Sequence, residues 1–316
     1  MGLFLQLMVV GIATGAVYSL IALGYTMVYG IIELINFAHG DIFMVGTLIS
    51  LTVLNLFHVT DSSKLSIVSL LGILAVTCLA SILLCAVLGV VIERVAYRPL
   101  RNAPRLAPLI SAIGVSLILE DFGKFALGLT PVSLPAIIHK TPFYIGSNYI
   151  YNTDLLTIVV AVILMVGLQW LITRTRIGRA MRSVAQDREA AALMGVNVNR
   201  IIAITFFIGA GLAGAAAFIY GIQISVTQFN IGFQLGLIAF TAAVLGGIGN
   251  IVGAMLGGLV IGLVQSLVLY IPDNNPPYGL PHGGIAWSQA IVFAILILIL
   301  VFRPTGLLGQ QTPEKV

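Results

Sequence analysis

Apolar residues run in long unbroken stretches along this chain, at 7–29, 42–59, 65–92, 106–129, 155–172, 201–222, 231–249, 251–271 and 285–302. A bilayer core about 30 Å thick is crossed by roughly 20 apolar residues in a helix. Each stretch is close to one crossing. None shows the alternation of apolar and polar positions that marks a membrane strand. The pattern predicts an all-α polytopic membrane bundle with about 8–10 transmembrane segments. The whole of 1–316 forms one transmembrane domain, because no remaining segment is long enough for a soluble unit.

Two places interrupt the apolar pattern. The first, Glu33 to Asp41, puts Asn36, His39 and Asp41 between two runs; the second, Gly246 to Asn250, is rich in glycine. Each follows an early long run of its half, which suggests an internal duplication with halves near 1–128 and 154–303. Helices that unwind in pairs often flank a permeation path. Asn36, His39, Asp41, Thr241, Gly246, Gly247, Gly249 and Asn250 are therefore candidates for lining it. For Asn36, His39 and Asp41, bracing the broken helix is the first reading and lining the path the second. Gly253-x-x-x-Gly257 and Gly258-x-x-x-Gly262 have the spacing that lets helix backbones approach closely in lipid. Glu120 and Lys124 stand four apart and pair on one helical face. They serve as a structural pair near the outer interface or as a contact for a partner outside the membrane.

Composition removes the soluble alternatives. Hydrophobic residues make up 59% and charged residues 8%, against about 25% charged in an average soluble domain. A secreted enzyme, a disordered regulator and a soluble nucleic-acid-binding domain are all excluded. The net charge of +4 reflects two arginine clusters between apolar runs. One is Arg94, Arg98, Arg101 and Arg105; the other is Arg174, Arg176, Arg179, Arg182, Arg188 and Arg200. Under the positive-inside rule the loops 93–105 and 173–200 and the tail after Arg303 face the cytoplasm, with the C-terminus inside. The loops 60–64, 130–153 and 272–284 then face outward, and the side of the N-terminus stays open. The first run has no basic segment before it and no cleavage site after it, so it is a retained span.

Little chemistry is encoded. Cys78 and Cys85 are packing residues, since seven helical positions separate them by about 10 Å, too far for a disulfide. The histidines show no metal-ligand spacing. No lysine sits in a phosphate-binding loop, so the chain has no catalytic residues, binds no cofactor and is not itself an ATPase.

One cytoplasmic stretch has the features of a docking element. Asp187 caps a short helix, Glu189 suits its positive end, Ala190, Ala191 and Ala192 favour helix, and Gly195 supplies a left-handed stop. Leu193 and Met194 are apolar at positions that face water.

The run Glu189-Ala190-Ala191 followed by Gly195 resembles the E-A-A-x-x-x-G loop of ABC importer permeases, which docks into the ATPase subunit. The later Ile-x-Leu-Pro part of that loop is absent here. Four further segments resemble one family: Ile35 to Asp41 (INFAHGD), Ile92 to Pro99 (IERVAYRP), Phe240 to Gly249 (FTAAVLGGIG) and Arg303 to Gly309 (RPTGLLG). The family is the H-type integral-membrane permease of the branched-chain (leucine, isoleucine, valine) amino acid ABC importer, and the resemblance runs from about residue 8 to 310. It implies a coupling role for Asp187, Glu189, Ala190, Ala191, Leu193, Met194 and Gly195. It also implies a related permease subunit as heterodimer partner, two ATPase subunits carrying ATP and Mg, a periplasmic amino-acid-binding protein, and a place in the bacterial inner membrane. A permease for urea or short amides is the nearest alternative. An ion-coupled secondary transporter is the alternative of a different class, and would need paired intramembrane carboxylates.

Overall fold

The computed structural model describes residues 2–60, 66–101, 103–104, 106–145, 148–269, 284–303 and 305–309, and every apolar run becomes a helix. In chain order these are α1 (Gly2–Ile32), α2 (His39–Leu56), α3 (Ile67–Ile92), α4 (Leu106–Leu127), α5 (Asn152–Arg174), α8 (Val198–Ile224), α9 (Ile231–Gly246), α10 (Ile251–Leu269) and α11 (Gly284–Phe302). Two short polar helices, α6 (Arg176–Gln186) and α7 (Arg188–Leu193), fill the second arginine loop. Among the described residues seven helices are long and apolar enough to cross a membrane; Ile231–Gly246 and Trp287–Phe302 are apolar but shorter. The first arginine loop continues α3 as a π turn, Glu93–Tyr97, and a 3₁₀ turn, Arg98–Leu100. Pro99 has no amide hydrogen to give to a continuing α-helix, and the tighter turn accommodates it.

Helix α1 is the centre of the bundle, packed most extensively on α10 and also on α8, α9 and α5. Lipid offers no hydrophobic drive between helices, so close backbone approach and polar contacts hold this pair. A Cβ on Gly15 would lie 2.8 Å from the Gly258 oxygen and one on Gly258 2.5 Å from the Ser19 nitrogen. Ser19 donates to the Met255 carbonyl at 2.7 Å, Tyr18 to Gln265 at 2.5 Å and Ser266 to the Leu7 carbonyl at 2.8 Å. The other contacts fall in matched pairs. As α1 packs on α10, α3 packs on α8; as α2 packs on α8, α1 packs on α9; α2 with α3 corresponds to α9 with α10, and α2 with α4 to α9 with α11.

The arginine loops fix one face of the bundle. Arg188 reaches the Ile31 carbonyl at the end of α1 at 2.7 Å, and Asn250 reaches the Leu308 carbonyl after α11 at 2.8 Å. The ends of α1 and α11 therefore lie beside the arginine loops, and the start of α1 lies at the opposite end of the bundle. Two short antiparallel ladders also lie away from the arginines: β1 (Val132–Ser133) on β4 (Val226–Thr227), and β2 (Pro142–Ile145) on β3 (Asn148–Tyr151). The expected outer loops 60–64 and 272–284 lie largely outside the described residues, as do Arg105 and the tail from 310 onward.

Candidate coupling helix and buried polar site

The second arginine loop is built from consecutive caps. Thr175 Oγ1 accepts from the Gly178 amide and starts α6, whose Gly178, Met181 and Val184 face inward. Asp187 Oδ1 accepts from the Glu189 and Ala190 amides at 2.9 and 3.0 Å and starts α7. Gly195, at φ 84°, ends it; Gly195 and Val196 amides close on the Ala192 and Ala191 carbonyls at 3.0 Å. Ala191 is buried against the bundle, so α7 is seated on one side only. On the other, Leu193 and Met194 are 89% and 85% exposed. Glu189 and Ala190 are exposed beside them.

Polar links tie the two arginine loops to each other and to the spans. Arg188 holds the Ile31 carbonyl, one of the acceptors a helix end leaves unpaired. Arg101 binds Asn199 at the start of α8, at 2.5 Å, and pairs with Glu93, which is buried in the π turn. Half-burial lowers the Arg101 guanidinium from its ordinary value, while the Glu93 carboxylate pulls the other way. A cavity of about 470 Å³ opens between these links, with Glu33, Leu34, Arg101, Pro108, Val184 and Asp187 in its walls.

The first polar interruption is a true break. Glu33 turns left-handed at φ 58°, a conformation costing a residue with a Cβ about 1–2 kcal/mol, and the chain runs irregularly to Ala38. Asn36 accepts from the Tyr97 hydroxyl at 3.1 Å. His39 and Asp41 fall in the first turn of α2, both buried. The His39 ring meets Tyr25 at 4.8 Å between centroids and lies against Gly24. Asp41 Oδ2 accepts from Ser116 of α4, and Asp41 Oδ1 has no partner, nor has His39 Nε2. Thr241 is buried in α9 and donates to the Leu237 carbonyl at 2.9 Å.

The second interruption is different from what the sequence suggested. Gly246 to Asn250 is a closed turn between α9 and α10 on the arginine face, not a helix opened inside a span. Gly247 and Gly249 take φ 104° and 93°. Asn250 Oδ1 caps the Gly253 amide at 3.0 Å, and Leu307 and Leu308 amides bind the Leu245 and Gly246 carbonyls. Gly253 backs onto Gly246 and Gly257 onto the Ala242 carbonyl, while Gly262 backs onto Gly15 of α1. Glycine there serves turn geometry and backbone contact.

The segment that mirrors the first break is Ser225 to Asn230. Ser225 also turns left-handed, at φ 59°, and Thr227 bonds Thr47 of α2 at 2.6 Å. The chain then enters α9 beside the start of α2, where a Cβ on Gly232 would lie 2.7 Å from the Gly40 oxygen and 2.8 Å from Asp41 Oδ1. The two helix starts thus touch through glycine.

The family described as branched-chain amino acid transport system / permease component matches residues 7–300. The chain belongs to that family. It is 42% identical over 318 residues to the high-affinity branched-chain amino acid transport system permease protein BraD of Pseudomonas aeruginosa, covering 99% of this chain and 98% of that protein. The permease proteins LivH of Salmonella typhimurium and Escherichia coli K12 are each 39% identical over 320 residues, at 99% and 98% coverage. The permease is thus a multi-pass membrane protein whose arginine face carries a short helix ending in two exposed apolar side chains. The apolar runs 201–222 and 231–249 left 223–230 as a short connection, and the break inside it at 225–230 was not singled out. Gln228, Asn230 and Gln234 in succession were the available signal.

Proposed function

We propose that this chain is one of two related permease subunits of an ATP-driven importer for leucine, isoleucine, valine and related neutral amino acids in a bacterial inner membrane. Two ATPase subunits, which bind ATP and Mg, dock on the arginine face, and a periplasmic binding protein delivers substrate to the other. The C-terminus is then cytoplasmic and the N-terminus periplasmic. The observation that carries this reading is likeness, over nearly the full length, to permease proteins of high-affinity branched-chain amino acid systems.

The physics of the arginine face supports the same division of labour. Burying Leu193 and Met194 in a partner releases about 1.5–3 kcal/mol for each side chain, and Glu189 orients the encounter more than it strengthens it. Motion imposed on α7 passes through Arg188 to the last turn of α1, where the first break begins. Asn36, His39 and Asp41 lie on or just beyond that break. They are on our reading the parts of the path that such motion displaces. The matched packing of α1–α4 and α8–α11 supports an origin by duplication, with α5–α7 between the copies.

Reconstitution tests the reading. The permease is placed in vesicles with the ATPases, second permease and binding protein encoded beside it, and uptake of labelled leucine and of labelled urea is measured with ATP inside. Leucine uptake that requires ATP is expected; uptake of urea alone, or leucine uptake driven by an ion gradient without ATP, overturns it.

A further inference from the structure

The cavity of about 470 Å³ on the arginine face takes its walls from three parts of the fold. They are the end of α1 with the first break, the first arginine loop with the start of α4, and the junction of α6 and α7. Its volume falls in the range of small-molecule sites.

The walls carry opposite charges that do not neutralise one another. Glu33 is exposed, and among the described residues its carboxylate has no ion pair within 4 Å. Arg188 gives the Ile31 carbonyl one of the five N–H groups of its guanidinium and has no carboxylate within 4 Å either. Arg101 stands near enough to Arg188 to feel its charge. Glu93 neutralises Arg101, whose Nε is a buried donor without an acceptor. Of the other carboxylates, Asp187 caps α7 and Glu189 is exposed beside the docking surface. Leu34, Pro108 and Val184 add apolar wall.

Each simple class of ligand fails on one wall. An anion meets the free Glu33 carboxylate, a cation meets two guanidiniums, and a neutral apolar molecule leaves both charges unmatched. A molecule with both charges on one carbon and an aliphatic side chain matches all three kinds of wall. We propose that this cavity binds a zwitterionic amino acid from the cytoplasmic side, with its carboxylate on Arg188 and its ammonium on Glu33, and that the bound molecule slows import. That the ligand is the imported amino acid rests on the importer function proposed above; the zwitterion site does not. Bound there, it ties the first break to the coupling loop and engages Arg188, which otherwise links α7 to Ile31. A ligand that fits one arrangement of these elements favours that arrangement over the others. The product then limits its own accumulation.

The test uses the assembled complex of permeases and ATPases in detergent, without the binding protein. Cys78 and Cys85 are replaced, and Ala185→Cys in the cavity wall is the reporter. Leucine should slow labelling of position 185 by a thiol reagent, and Glu33→Gln should raise the half-protecting concentration about tenfold or more. Glu33→Asn, which suits a left-handed backbone, substitutes if Glu33→Gln does not assemble. Leucinamide and 4-methylpentanoate, each with one of the two charges, should not protect where leucine does. No protection by leucine, undiminished protection in the Glu33 variant, or equal protection by 4-methylpentanoate overturns the site. In vesicles with ATP inside and binding protein outside, saturating internal leucine should lower initial leucine uptake about threefold or more, and less than about 1.5-fold in Glu33→Gln. Protection without that slowing overturns the regulatory role. Protection in a complex that takes up no leucine at all overturns the importer reading and leaves the site standing.

Discussion

The chain leaves helical geometry twice in the same manner and puts the two exits to different use. Glu33 and Ser225 each turn left-handed at the end of a long helix, and each break leads to a new helix start, at His39 and Ile231, where Gly40 and Gly232 touch. The first break is anchored to the arginine face, through Tyr97 and the Arg188–Ile31 link. The second is anchored to the far half, through β1, Thr47 and Lys124 over Phe229. The difference separates a break tied to the arginine loops from one tied to the opposite half of the bundle.

The comparison is broken most severely at the point where the two helix starts meet. Gly232→Val would drive a side chain into the backbone at Gly40 O and Asp41 Cα and into the Asp41 carboxylate. Overpacking of this kind costs about 1–3 kcal/mol, and membrane-inserted protein should fall several-fold on an immunoblot. Gly114→Ala, where a Cβ meets nothing within 4 Å, should leave the level unchanged. Comparable loss from both variants would mean that the glycine contact at the helix starts is not a structural pivot.

A smaller effect is expected at the first break alone. Arg188→Ala removes a charged hydrogen bond worth about 1.5–3 kcal/mol between the coupling loop and α1. ATP turnover should persist while leucine taken up per ATP falls, and a ratio equal to wild type would show that motion enters elsewhere. The smallest belongs to the second break. Thr47→Val with Thr227→Val removes one buried hydroxyl pair, about 1 kcal/mol. The midpoint of thermal unfolding in detergent should drop by a few degrees, without loss of the α7 contact with the ATPase.

The legibility of these regions differs for physical reasons. All nine apolar helices were readable because lipid demands a fixed number of apolar residues. The coupling helix was readable because its start and stop are local: an aspartate side chain on two amides, a glycine at φ 84°. The second break was harder to read, since a left-handed serine looks like any other and the only trace was the spaced polar set Gln228, Asn230 and Gln234. Glycines at 246, 247 and 249 drew attention to a turn that lies on the surface instead. The packing of α1 was hidden likewise, and the Arg188–Ile31 bond puts its start at the end of the bundle away from the arginine loops.

The central claim is that α7 is where the permease meets its ATPase. Replacing Leu193 and Met194 together with Asp leaves every span untouched, so the variant should reach the membrane at wild-type levels. Pull-down of tagged permease from solubilised membranes should then recover the second permease subunit but not the ATPase, and substrate-stimulated ATP hydrolysis in vesicles should be lost. Normal recovery of the ATPase together with normal leucine uptake would contradict the account.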